Sequence, residues 1–138
     1  MIGVGVSHKL SALWVSVTLC YLYGDYFDLY VPGTADGLVS GENNLNSPVT
    51  LLAAATVLLI PALMVSLSLL LRPTANRRVN LIVGAFFTVF VAFVGVSSLQ
   101  SWRAFYVLYA VVEVLLTLTI VWIAWRWPRP ANDENARS

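Results

Sequence analysis

Apolar residues fall along the chain in four long runs, at residues 10–26, 49–71, 79–99 and 104–125. Each reaches the roughly 17–25 residues a helix needs to cross about 30 Å of hydrocarbon. In lipid only helices and closed barrels satisfy their own backbone groups, and these runs are too long and too uniformly apolar for barrel strands. The pattern predicts an all-α fold, with four transmembrane helices in an up-down-up-down bundle and one integral membrane domain over residues 1–138.

The polar positions between the runs punctuate them. Ser47-Pro48 predicts the start of the second helix, because serine accepts from orphan amides and proline suits the first turn. Pro73 predicts the end of that helix, Thr74 or Asn76 the start of the third, and Ser101 the start of the fourth. Pro61 lies inside the second run and predicts a packing kink, because it removes one backbone hydrogen bond. The connection 27–48 is the longest and holds Gly33, Gly37, Gly41 and the stretch Asn43-Asn44-Leu45-Asn46. It reads as an outer connection that is either a small ordered cap or a mobile loop, with mobility preferred. The tail 128–138 is polar and expected to be disordered. No small-x-small cleavage site closely follows residues 10–20, so the first helix is expected to remain in the mature protein.

Charge is sparse and sorted. Hydrophobic residues make up 59% and charged residues 11% of the chain, against roughly 45–50% and about 25% in soluble domains. A small soluble protein cannot hide so much apolar surface, and a net charge of +1 gives no footprint for nucleic acid. Seven of the eight basic residues (Lys9, Arg72, Arg77, Arg78, Arg126, Arg129 and Arg137) fall on one side of the predicted spans, with Arg103 alone on the other. The positive-inside rule then puts both termini in the cytoplasm and the loop 27–48 outside. Tyr26, Tyr30, Trp102, Phe105 and Tyr106 gather at the outer boundary and Trp122, Trp125 and Trp127 at the inner one, as aromatic anchors do.

Two acids escape the sorting. Glu113 lies ten residues past Arg103, about 15 Å along a helix and near the midplane. Asp25 lies nearer the outer surface and is expected to be hydrated or paired with Arg103, with Asp28 more exposed still. Helical spacing puts Trp14, Thr18, Tyr21, Asp25 and Asp28 on one face of the first helix, and Tyr106, Tyr109, Glu113 and Thr117 on one face of the fourth. An intramembrane acid is by default a functional site. Glu113, Asp25, Tyr21 and Tyr109 are therefore the candidate site for a proton, a cation or a small ligand. Gly84, Thr88, Ala92 and Gly95 form a small-residue stripe that lets another helix approach closely, expected within the chain. Asn80 beside Arg77 and Arg78 could meet a lipid phosphate, but ordinary positive-inside topology is the preferred explanation of its place.

Catalytic chemistry finds little support. Cys20 is the only cysteine and His8 the only histidine, so there is no redox pair and no nucleophile–base pair in a span. Metal binding would need ligands from scattered carboxylates. No catalytic residue, metal or cofactor is expected, and an enzyme acting on lipid or quinone ranks last.

The segments Leu10-Ser11-Ala12-Leu13-Trp14 and Tyr21-Leu22-Tyr23-Gly24-Asp25 carry a resemblance, as do Ile60-Pro61-Ala62-Leu63-Met64 and Asn76-Arg77-Arg78-Val79-Asn80. Tyr109, Glu113 and Trp122-Ile123-Ala124-Trp125 complete it. Over nearly its whole length the chain resembles small bacterial four-helix membrane proteins grouped as a domain of unknown function. The resemblance implies an integral protein of the bacterial inner membrane and no particular activity. The expected function is transport or small-ligand binding around the intramembrane Glu113. The alternative is an accessory protein that joins a larger complex. Small multidrug exporters are similar in having four helices and one intramembrane glutamate, but theirs lies in the first helix and Glu113 in the fourth. The expected partners are the lipid bilayer, a second copy or another membrane protein, and an unidentified ligand.

Overall fold

The structure is a computed structural model that describes residues 5–128. These form five α-helices: α1 (Val6–Asp28), α2 (Thr34–Ser40), α3 (Pro48–Leu70), α4 (Pro73–Ser97) and α5 (Ala104–Arg126), the last preceded by a 3-10 turn at Ser101–Arg103. The polar tail from residue 129 onward lies outside the described residues. Three stretches, Pro48–Leu70, Pro73–Ser97 and Ser101–Arg126, are long and apolar enough to cross a membrane, which is compatible with a membrane protein. The 23-residue α1 is equally long but more polar, and does not join them on composition.

The ends of the helices correct several expectations. Pro73 does not merely stop α3. It occupies the first turn of α4, where its missing N–H costs nothing, so α4 begins six residues before residue 79 and Thr74 and Asn76 lie inside it. Ser101 opens the 3-10 turn, and α5 proper starts at Ala104. Ser47 caps α3 as its sequence predicts. Its hydroxyl accepts from the Thr50 amide at 3.1 Å, and the Thr50 hydroxyl accepts from the Ser47 amide at 3.2 Å. α3 continues through the buried Pro61.

The connection 27–48, preferred as a mobile loop over an ordered cap, contains α2. Gly33 and Gly41 bound this helix with φ of 86° and 80°, a left-handed conformation open to glycine at little cost. The Asn43 side chain donates to the Gly37 carbonyl and accepts from the Leu45 amide, which folds the segment onto itself.

The four long helices pack against one another. α1 lies between α3 and α5, and α4 lies against α5. One core cluster draws on all four: Leu10, Trp14 and Val17 of α1, Met64 of α3, Phe87 of α4 and Ile120 of α5. The Trp14 and Phe87 rings meet edge-on at 6.1 Å, an arrangement that aromatic quadrupoles favour.

The outside of the molecule is largely apolar, with Leu22, Leu52, Leu70, Ile82, Phe93, Leu108 and Leu115 among its exposed side chains. Hydroxyls on this surface bond to the carbonyl one turn back: Ser16 to Ala12, Thr56 to Leu52, Ser97 to Phe93 and Thr119 to Leu115. Such back-bonding satisfies a hydroxyl without water.

Candidate functional site

Two polar constructions occupy opposite ends of the bundle. At the end holding the α3–α4 turn, a network ties α1, α3 and α4 together. The Trp14 indole N–H donates to Asn80 Oδ1 at 2.7 Å. The Asn80 amide group donates to the Asn76 carbonyl at 2.9 Å and to Asn76 Oδ1 at 2.6 Å. The Asn76 amide group donates to the Ser68 carbonyl at 2.6 Å. Asn76, Asn80 and Ser68 are fully buried, and a connected network is what makes such burial tolerable. Asn80 therefore points into the bundle, and its placement at a lipid phosphate is overturned. Arg77 turns the other way and donates to the Ala124 and Trp125 carbonyls at the end of α5, a favourable place for a cation.

At the opposite end, α1, α4 and α5 leave a cavity of about 150 Å³, with Leu58 of α3 touching its wall. The heptad-like spacing of α1 brings Tyr21 and Asp25 to it, and that of α5 brings Tyr106, Tyr109 and Glu113. All four candidate residues, Glu113, Asp25, Tyr21 and Tyr109, thus line one space. Phe90 and Val91 of α4 supply an apolar wall. Below it, Phe87 packs edge-on against Tyr21 at 6.0 Å and the core closes.

The two acids are not equivalent. Asp25 is exposed and accepts from the Tyr106 hydroxyl at 3.0 Å. Glu113 has 5% of its surface exposed and lies nine residues into α5, about 14 Å from its start. Its backbone carbonyl accepts from Thr117, and among the described residues its carboxyl group has no hydrogen-bond donor. The Tyr21 hydroxyl is also buried without a partner. Buried polar atoms are normally paired; the Tyr21 hydroxyl is not, and the Glu113 carboxyl group borders the same cavity without a donor, so the space is one that something else completes.

Of the two alternatives for Asp25, exposure to water or a pair with Arg103, the structure shows the first. Arg103 instead approaches Asp28, with Nε to Oδ1 at 3.5 Å, and Asp28 is the less exposed of the two acids. The expectation that Asp28 is the more exposed is therefore reversed, because one turn of α1 sets Asp28 beside the 3-10 turn.

The small-residue stripe faces α5 for most of its length. A Cβ on Gly84 would come within 2.9 Å of Val121 Cγ2, and one on Gly95 within 2.8 Å of Ala110 Cβ. The Thr88 hydroxyl donates to Thr117 at 2.9 Å. Ala92 is exposed, and with Gly95 it borders a second, apolar hollow of about 300 Å³ on the α4–α5 surface.

Sequence reasoning left Cys20 and Phe90 out of the site. Cys20 sits one residue before Tyr21 and reads as part of an apolar run, and Phe90 lies on a helix with no acid to draw attention. Among the described residues no group of three His, Cys, Asp or Glu could hold a metal ion. The site offers the Glu113 carboxyl group, the unpartnered Tyr21 hydroxyl, the Cys20 thiol and aromatic side chains, which can bind and orient a small molecule.

No curated protein and no solved structure matches the chain. A model for a family of unknown function, DUF6326, matches residues 5–134, and the chain belongs to that family.

Proposed function

From membership in a family without an assigned activity, we propose that the protein is a multi-pass membrane protein that binds a small ligand in the cavity between α1, α4 and α5. Glu113 is the group that anchors it, and transport of that ligand is the function this arrangement would serve. The observation that carries the reading is the buried, unpartnered carboxyl group of Glu113 on a cavity shared with Asp25, Tyr21 and Tyr109. An intramembrane acid is expensive to retain, and packing alone gives no reason to keep one.

In this reading α1 is the fourth span. Its 23 residues cover about 34 Å at 1.5 Å per residue. Its polar side chains turn toward the bundle at Ser11, Trp14 and Tyr21, while Val15, Leu19 and Leu22 face outward. Four spans in up-down-up-down order place both termini on the cytoplasmic side of a bacterial inner membrane, as the basic residues require.

Thermal unfolding of the purified protein in detergent micelles tests the ligand reading. A panel of small organic cations, neutral aromatics, quinones and lysolipids is added to the parent and to Glu113→Gln. The expected result is that at least one class raises the parent's Tm and does so less for the variant, since a ligand stabilises the state it binds. Equal shifts in both proteins, or none in either, would sink it.

A second reading, an accessory subunit of a larger membrane complex, is favoured by the apolar hollow bordered by Ala92 and Gly95. Crosslinking in native membranes tests it, and a chain that is always alone counts against it.

A further inference from the structure

The same cavity carries information about the chemistry of its occupant. We infer that it takes a single small organic cation, a quaternary or protonated ammonium group on a body about the size of benzene, held between Glu113 and the aromatic faces of Tyr21, Tyr109 and Phe90. This rests on the ligand-binding reading above and narrows it.

Charge comes first. Two carboxyl groups line the cavity, and no Lys, Arg or His does. Asp25 already accepts from Tyr106 and stands in the exposed mouth. Glu113 is the buried residue of the two, and among the described residues its carboxyl group accepts no hydrogen bond. A buried carboxylate without a counter-charge is costly, and a ligand that brings one positive charge lets the group ionise at lower cost.

The walls come second. Apart from the acids, they are apolar and aromatic side chains with tyrosine hydroxyls. Only two of the lining groups are carboxyl groups, the other oxygens being neutral phenols that are poor ligands for a bare metal ion, and among the described residues no group of three His, Cys, Asp or Glu could hold one. Aromatic faces carry negative quadrupole charge and attract an ammonium group within about 6 Å of the ring. The unpartnered Tyr21 hydroxyl adds an oxygen that can accept from a protonated amine.

Size comes third. A cavity of about 150 Å³ is the volume at which an apolar protein cavity takes up benzene. Larger lipophilic cations would have to displace the core beneath Tyr21, where Phe87 and Trp14 are already in contact.

The test uses choline and its uncharged carbon isostere, 3,3-dimethylbutan-1-ol, on the full-length protein in lipid nanodiscs. Two readouts are Tm and the rate at which Cys20, which lines the cavity, reacts with methyl methanethiosulfonate. Choline is expected to raise Tm and to slow Cys20 labelling. The isostere is expected to do neither at the same concentration. Glu113→Gln is expected to lose affinity for choline by more than about tenfold, as loss of one partner of a buried charge pair does. Equal effects of choline and the isostere would overturn the inference, and so would equal binding of choline by Glu113→Gln. If that variant does not fold, the Cys20 rates in the unaltered protein still decide between charge and shape. If neutral compounds of the panel bind while choline does not, the cation inference fails and the ligand-binding reading stands. If nothing binds, both fail.

Discussion

Glu113 and Asn80 show how differently two buried polar side chains can be treated. Asn80 has every strong group engaged, with Trp14 on one side and Asn76 on the other. Truncation to alanine leaves the buried indole N–H of Trp14 without its acceptor, at a cost of about 1–3 kcal/mol. Asn80→Ala is therefore expected to lower the Tm measured in detergent micelles clearly, whether or not a ligand is present. Glu113 has no comparable partner, so its removal is expected to act on binding rather than on the fold. The sequence made Glu113 conspicuous, because an acid ten residues inside an apolar run has no ordinary explanation. It did not make Asn80 conspicuous. Beside Arg77 and Arg78 an asparagine reads as an interfacial residue, and its partner Trp14 is 66 positions away. The same gap hid the choice made by Arg103. Asp25 and Asp28 are one turn apart on one face, and only the register of α1 against α5 decides that the cation meets Asp28 while Tyr106 meets Asp25.

At the scale of elements, the long helices were legible because apolar runs of this length have few other solutions, and their capping was legible where the cap is local. The Ser47 and Thr50 pair is a case in point. Ser47→Ala breaks the reciprocal bonds and is expected to cost about 1 kcal/mol, seen as a lowered Tm with the ligand response of the parent retained. Where a residue can serve two elements, sequence reasoning chose wrongly. Pro73 stops one helix in the usual reading of proline, yet with only Leu71 and Arg72 between α3 and α4 it begins the next. α2 was not legible, because seven residues between two glycines carry too little periodic pattern to announce a helix. α1 is the element in which composition and role diverge. Among the polar residues that lower its apolar character, Trp14 reaches the Asn80 network and Tyr21 and Asp25 reach the cavity.

For the whole molecule, the two polar constructions divide the bundle. The end with the α3–α4 turn is locked by a buried network and by Arg77 on the end of α5. The other end holds the cavity. In the proposed orientation, with both termini in the cytoplasm, the cavity would be nearer the outer surface and the locked end would face the cell interior. A cysteine introduced in α2 by Asp36→Cys, in a Cys20→Ser background, is then expected to react with a membrane-impermeant maleimide on intact cells. Labelling only after lysis would reverse the orientation. The arrangement of helices follows from the apolar pattern, whereas the joining of Asp25 and Glu113 on one cavity depends on how α1 and α5 turn about their axes, which periodicity states for each helix alone. The most direct measurement is the Tm of Glu113→Gln without ligand, compared with the parent under the same conditions. A group kept for binding and lacking any partner in the fold should be removable without loss, so an unchanged or raised Tm is expected. A fall of more than about 4 °C, the shift that roughly 1 kcal/mol produces in a domain of this size, would contradict it and make Glu113 a packing residue.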